Sequence, residues 1–287
     1  MPTLRDFLHQ AREQLTAAGV PEPRLEAEIM LTDTLRVPRH RLYAFQDDDL
    51  PSEVEKTLEE VMERRLKREP LAYILGHREF YGIDLLVGPA VMVPRPETEL
   101  LVERAMLVCM ERMDKGRLVV ADVGTGSGGI AINLAIHIPQ AKIFATDLSR
   151  DALEVARANV LKYKVAERVT LVQGDLLDPV TGTIDVIVAN LPYIPAQRLA
   201  VLQPEVRWEP PAALDGGTDG LDLLRRLMGQ AVSKLPDDGV VLLEIDPGQA
   251  EPLRRLAQEL FPGANVSVEQ DLAGHDRIFV LERSGQG

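Results

Sequence analysis

The residues Asn190-Leu-Pro-Tyr193 form the most specific local signal in the chain. They follow an apolar run, Ile184-Asp-Val-Ile-Val-Ala189, that reads as a buried strand. Asn190 offers a side-chain carbonyl oxygen as an acceptor. Leu191 precedes proline, and a residue before proline is pushed to extended backbone, which holds its carbonyl out. Tyr193 adds an aromatic face that can pack on a planar group. Two acceptors beside a flat wall can grip the N–H bonds of an amide or an exocyclic amine. Such a nitrogen is a weak nucleophile because its lone pair is delocalised. Aiming that lone pair at an electrophilic methyl group is chemistry this turn could do, largely by orientation. Asn190, Leu191, Pro192 and Tyr193 are therefore the candidate catalytic residues. No general base is required, because the nitrogen becomes acidic once methylated and can lose its proton to water. Asn and Pro are also common in ordinary turns, so the neighbouring elements must decide.

A second cluster supplies that context. Asp122-Val-Gly-Thr-Gly-Ser-Gly128 closes an apolar strand and opens an apolar helix at Ile130. Glycines permit a tight turn and close approach of a ligand, and free N–H groups at a helix start favour an anion. About 20 residues further on, Asp147 ends the next strand, placed to accept from ribose hydroxyls. Gly124, Thr125, Gly126, Ser127, Gly128 and Asp147 are candidate cofactor-binding residues. Asp175 and Leu176, at the third strand end, are candidates for an adenine amine and ring, and Asn190 borders the same crevice. The spacing G-x-G-x-G is not that of dinucleotide binders, and no Lys follows the loop as in triphosphate loops. A cofactor with a ribose and a carboxylate but no phosphate fits, as in S-adenosylmethionine, whose sulfonium cation suits an acidic cleft.

The elements that must position these residues are legible. Thr3 and Asp6 form a capping box for a first helix that ends at Gly19. A second helix is expected over 24–35. Ser52 and Glu55 form another capping-box pair, opening a helix that ends near Pro70, with the basic stretch Arg64-Arg-Leu-Lys-Arg68 on its solvated face. Glu79–Tyr81 and Ile83–Val87 flank Gly82 as a hairpin. Thr98 is expected to cap a helix running to about Met113. Strands then follow at Leu118–Val123, Lys142–Thr146, Val169–Gln173, Ile184–Ala189, Gly239–Ile245 and Arg277–Leu281, with helices between most of them. This alternation predicts an α/β fold with a mainly parallel sheet covered on both faces. Its ligands would bind beyond the carboxyl ends of the strands. Residues 1–75 are expected to form a small helical domain, 76–95 a hairpin linker and 96–287 the α/β domain.

Composition narrows the function classes. The 287 residues carry 32 Lys and Arg against 45 Asp and Glu, a formal charge of −13. That balance disfavours general binding to nucleic-acid phosphate. The single cysteine, Cys109, rules out an internal disulfide and a thiolate zinc cluster. The five histidines show no ligand spacing, so no metal is expected. With no signal-peptide pattern and no apolar run of about 20 residues, the expectation is a soluble, cytoplasmic protein and a monomer.

The chain resembles the peptide chain release factor glutamine methyltransferases over nearly its whole length. The resemblance rests on Arg68-Glu-Pro-Leu-Ala-Tyr-Ile-Leu-Gly76, Val93-Pro-Arg-Pro-Glu-Thr-Glu99, Asp122–Gly128, Glu209-Pro-Pro-Ala-Ala-Leu-Asp-Gly-Gly217, Leu243-Glu-Ile245 with Gln249, and Asp276-Arg277. It implies a Rossmann-like, S-adenosylmethionine-dependent domain behind a helical, substrate-docking domain. Gly124 to Gly128, Asp147, Leu176 and Asn190 would touch the cofactor, and Asn190 to Tyr193 would hold the glutamine of a release factor's Gly-Gly-Gln motif. Nucleic acid would be met only indirectly, through the ribosomal machinery. Two positions depart from the family pattern. Leu191 stands where proline is usual, and Asp246 where glycine is usual. Asn-Leu-Pro-Tyr also matches the ribosomal RNA adenine dimethyltransferases, so a methyltransferase acting on an adenine amine in RNA or DNA is the rival reading. A cofactor-dependent scaffold is a further rival, and it leaves the Asn190–Tyr193 turn unexplained.

Overall fold

Thr3 begins the first helix as its capping box requires: its side chain accepts from Asp6 N, and Asp6 returns a bond to Thr3 N at 2.9 Å. The computed structural model describes residues 2–283. They divide into two compact units, one built from the residues up to His77 together with Gln203–Trp208, the other from the remainder.

The first unit holds helices α1 (Leu4–Ala17), α2 (Pro23–Leu35), α3 (Arg39–Leu42), α4 (Ser52–Leu66) and α5 (Leu71–Leu75). Leu15, Met30, Leu31 and Leu58 form its buried centre. The capping box expected at Ser52 is absent. The N-cap is Pro51, and Ser52 already lies in the helix, because proline's fixed φ sets the helix start one residue earlier. Glu53 and Glu55 still face the positive end of the helix. The basic stretch is solvated only in part: Arg64 and Lys67 are exposed, and Arg65 and Arg68 turn inward. Arg65 is buried between Glu26, at 2.5 Å, and Glu205, at 2.8 Å. Arg68 grips the same Glu205 with two bonds, at 2.6 and 2.7 Å. The partner lies 140 positions along the chain, beyond the reach of helical periodicity.

A hairpin follows, β1 (His77–Phe80) and β2 (Ile83–Leu86), and from Arg78 on it belongs to the second unit. Tyr81 and Gly82, at φ 46° and 73°, supply the two left-handed residues of a primed turn. The N-cap position of helix α6 (Pro96–Met110) is Arg95, which makes no side-chain cap bond, and Pro96 stands at the first helical position. The expected cap, Thr98, is instead inside the first turn, and it has another task described below. After β3 (Leu118–Val123) come α7 (Gly129–His137), β4 (Ala141–Asp147), α8 (Arg150–Lys162), β5 (Val169–Gln173), β6 (Val186–Ala189), α9 (Asp222–Ala231), β7 (Val240–Glu244), α10 (Ala250–Leu260), β8 (Asn265–Gln270) and β9 (Asp276–Glu282).

One seven-stranded sheet results, in the order β5-β4-β3-β6-β7-β9-β8. The first five of these run parallel, β9 runs antiparallel to β7, and β8 pairs antiparallel with β9. This is the mainly parallel, Rossmann-like architecture expected. Strand β8 was not foreseen. It is a partly exposed edge with Val266 and Val268 as its only large apolar residues, so its periodic signal is weak. The chain reverses its direction of travel between β3 and β6, and a crevice opens at such a switch point.

Candidate active site

The glycine loop is tied to β4 by backbone and carboxylate. Gly124 N and Thr125 N both donate to Thr146 O at 2.9 Å. Asp147 accepts from Gly126 N through one oxygen and from Ser149 N through the other, each at 2.9 Å. Beneath the loop, Asp122 accepts from Thr125 Oγ1 at 2.6 Å and from Ala131 N at 3.1 Å. Asp122 is fully buried and its second oxygen has no partner among the described residues. Burial pushes its pKa up to about 6, against the pull of those two donors.

A cavity of about 350 Å³ opens at these strand ends, and every residue lining it belongs to the second unit. That volume is of ligand size. Of the cofactor candidates, Gly124, Thr125, Gly126 and Ser127 line it from the loop, and Asp147, Asp175, Leu176 and Asn190 from the neighbouring strand ends. Gly128 does not reach it; a side chain there would press on Ile132 and Ala156, so its glycine serves helix packing. Asp175 carries an ion pair with Arg226, also in the wall. A ligand amine at this position therefore shares Asp175 with a guanidinium. The donor set suits a nucleoside cofactor. At Gly126 a Cβ would meet nothing within 4 Å, which marks open space against the cavity. Asp147, held by only one backbone donor on each oxygen, keeps lone pairs for hydroxyls.

The catalytic turn is built around a buried carboxylate. Asn190 Nδ2 donates to Thr98 Oγ1 at 2.9 Å, and Thr98 Oγ1 donates to Glu244 Oε2 at 2.7 Å. Tyr193 Oη donates to the other oxygen, Glu244 Oε1, at 3.0 Å. With Glu244 ionised, the Thr98 proton is committed to it, and Thr98 then accepts from Asn190 Nδ2. Asn190 Oδ1 and the Leu191 carbonyl accept no hydrogen bond from the described residues, and Asn190, Leu191 and Pro192 all line the cavity. Tyr193 is not part of the wall, and its ring serves as an anchor through its hydroxyl. Burial pushes Glu244 above the usual carboxylate range, while the two hydroxyl donors and the charge of Arg277 pull it back. Burial also raises Tyr193, and adjacent Glu244 adds to the shift.

Several residues here have roles that local reading missed. Gln249, buried, donates through Nε2 to Tyr193 O at 3.0 Å and Gly220 O at 3.1 Å. A Cβ at Gly220 would lie 2.2 Å from Tyr193 O, and one at Gly216 would lie 2.8 Å from Pro192 O. The Asp215-Gly-Gly217 segment and Gly220 thus let a loop close directly on the backbone of the turn. Asp246, the unusual residue at its position, pairs with Arg198 at 2.5 Å and ties down the chain after the turn. Asn159 donates to Ser127 O and Leu86 O, both at 2.9 Å, pinning the glycine loop to the hairpin. The Leu191 side chain is not idle either. It is buried, with Cδ2 2.8 Å from where a Cβ on Gly124 would stand. Pattern and spacing could point to Gln249 and Gly216. They could not show that Thr98 and Glu244 meet across 146 positions.

Comparison with known proteins agrees with this geometry. Residues 6–76 match the PrmC N-terminal domain model and residues 100–203 the methyltransferase small domain model. In fold, the chain is similar to the hMettl16 catalytic domain in complex with MAT2A 3'UTR hairpin 6, with a TM-score of 0.59 at 13% identity, over 79% of this chain and 83% of that one. It is also similar to a methyltransferase from Pyrococcus furiosus, with a TM-score of 0.52 at 21% identity, over 71% and 91%. In sequence, the release factor glutamine methyltransferase of Deinococcus radiodurans is 39% identical over 98% of this chain and 99% of the relative. That of Moorella thermoacetica is 43% identical over the same shares. With identity at this level from end to end, and the loop, the turn and their supports assembled at one crevice, the chain belongs to the release factor glutamine methyltransferase family.

Proposed function

We propose that the protein transfers a methyl group from S-adenosylmethionine to the side-chain amide nitrogen of the glutamine in the Gly-Gly-Gln motif of translation release factors. The observation that carries this reading is the pair of open acceptors, Asn190 Oδ1 and the Leu191 carbonyl, at the wall of a cavity whose other wall is the glycine loop. The chain has no Gly-Gly-Gln of its own, so the substrate comes from another protein.

The cofactor, when bound, supplies a methyl group on a positively charged sulfur, which leaves as a neutral thioether. Gly124 to Ser127 and Asp147 would hold its amino-acid and ribose parts, with Leu176 against its base. Asn190 Oδ1 and the Leu191 carbonyl accept the two N–H bonds of the substrate amide, which turns the nitrogen's third direction towards the methyl. Holding this geometry is worth several powers of ten in rate without any acid or base. The nitrogen sheds one proton to water as it is methylated.

The cavity is walled by the second unit alone. In this reading residues 1–75 dock the release factor, 76–95 form a linking hairpin that also lends Phe80, Val91 and Pro94 to the cavity wall, and 96–287 carry the chemistry. We take the protein to act as a monomer, and a substrate that works on the ribosome favours a cytoplasmic reaction. The test is incubation with a bacterial release factor and the cofactor, followed by mass analysis of the Gly-Gly-Gln peptide. A gain of one methyl group on the glutamine is expected. An unmodified peptide, with methyl transfer to adenine in RNA instead, would overturn the reading in favour of the adenine-amine alternative.

A further inference from the structure

We propose that Glu244 and Thr98 are positioning residues for methyl transfer: together they lock the Asn190 amide so that its oxygen, and never its NH₂, faces the substrate. The inference rests on the glutamine-methylating reading of the same turn. Glu244 ends β7, Thr98 lies in the first turn of α6, and Asn190 follows β6. Glu244 is 1% exposed, and its carboxylate is bonded by two neutral hydroxyls, Thr98 Oγ1 at 2.7 Å and Tyr193 Oη at 3.0 Å. A buried carboxylate is a costly group to place among neutral partners. Glu244 acts here in its ionised form, which the charge of Arg277 favours: unlike a neutral side chain of the same shape, an ionised carboxylate only accepts. Both hydroxyls must therefore donate to it. Thr98, its proton spent, must accept from Asn190 Nδ2, at 2.9 Å. The direction of every bond is set from Glu244 outward.

The consequence at the substrate is a matter of sign. An asparagine amide is nearly symmetric in shape, and a flip exchanges an acceptor for two donors. In the locked orientation Oδ1 receives the substrate's N–H. Flipped, Nδ2 would face that N–H donor to donor, and the substrate amide would turn away from the methyl. A glutamine at position 244 brings its own donor. If its NH₂ faces Thr98, the hydroxyl accepts from it and is free to donate to Asn190, which admits the flipped state. Tyr193, held by the second carboxylate oxygen, extends the same control to the far end of the turn.

The test compares Glu244→Gln, Thr98→Val and Thr98→Ser with the parent enzyme in full-length form, acting on a release factor. The readouts are kcat, KM for the release factor, calorimetric affinity for S-adenosylmethionine and thermal midpoint. Glu244→Gln and Thr98→Val should lower kcat by about 10- to 100-fold through lost orientation. Their cofactor affinity should stay within about threefold, since the lost interaction acts on the substrate amide. Thr98→Ser, which keeps the hydroxyl, should recover most of what Thr98→Val loses. If kcat is unchanged in Glu244→Gln and Thr98→Val, or if Thr98→Ser is as slow as Thr98→Val, the inference is overturned. Should Glu244→Gln fail to fold, the two Thr98 variants decide alone. A parent enzyme that leaves the Gly-Gly-Gln glutamine unmethylated would instead overturn the functional reading itself, which this design separates from a failure of the variants.

Discussion

Asn190 and Leu191 are adjacent in the turn, yet the structure uses them in different ways. Asn190 acts through a side-chain oxygen whose orientation is fixed by Thr98. Leu191 acts twice, through a carbonyl at the cavity and through a buried side chain packed under Gly124. From the sequence, only the carbonyl is expected of position 191, because nothing local says what a Leu side chain there would touch. The two roles make separable predictions. Asn190→Ala should lower kcat about 100-fold by freeing the substrate amide, with the thermal midpoint almost unmoved. Leu191→Ala keeps the carbonyl but opens a void beneath the loop. It should lose about 2–5 kcal/mol of stability, as buried Leu→Ala changes do. Single-turnover kinetics and denaturant unfolding on the same pair of proteins would check this. A rate loss without a stability loss in Leu191→Ala would contradict the packing role.

Each functional side chain sits at the end of an element. Asp122 stands one residue before the end of β3, Asp147 ends β4, Asn190 follows β6, and Glu244 ends β7. Parallel strands in register bring those ends together, with Asp122 beside Ala145 and Val123 beside both Thr146 and Ala189. Among these, Asp147 joins two elements directly, since it holds a loop amide after β3 and the amide that opens α8. Asp147→Ala therefore removes two backbone tethers and the ribose acceptor together. A hydrogen bond to a charged acceptor contributes about 1.5–3 kcal/mol. Calorimetric affinity for S-adenosylmethionine should accordingly fall by about one to two decades. Unchanged affinity would place the ribose elsewhere. Helix α6 shows how an element can mislead. Thr98 is a good capping residue, but Pro96 sets the helix start earlier, and the hydroxyl is then free to serve the site.

The whole chain is acidic, at −13, and its buried carboxylates give its stability a pH dependence of a particular sign. Burial raises the fully buried Asp122. A carboxyl whose folded pKa is raised stays protonated in the folded state after the unfolded chain has ionised. Its stabilisation is complete below the ordinary value of 3.8, and for Asp122 it is lost as pH rises to about 6. Asp122→Asn keeps the shape and removes the titration. Relative to the parent, it should gain at most about 3 kcal/mol of stability between pH 4 and 7, from two pKa units. Urea midpoints of the cofactor-free proteins at the two pH values would show this, and a constant difference would exclude Asp122 as the titrating group. The sequence by itself determined the α/β order, the glycine loop, the acid at the next strand end and the catalytic turn. All of these are local patterns, repeated within the period of a strand or a helix. Only the tertiary structure decided what supports them: Glu244 under Thr98 and Tyr193, Gln249 against the turn, Glu205 with the buried Arg65, and the edge strand β8. These depend on contacts between residues far apart in the chain. Periodicity carries no information about a partner that folding alone brings near.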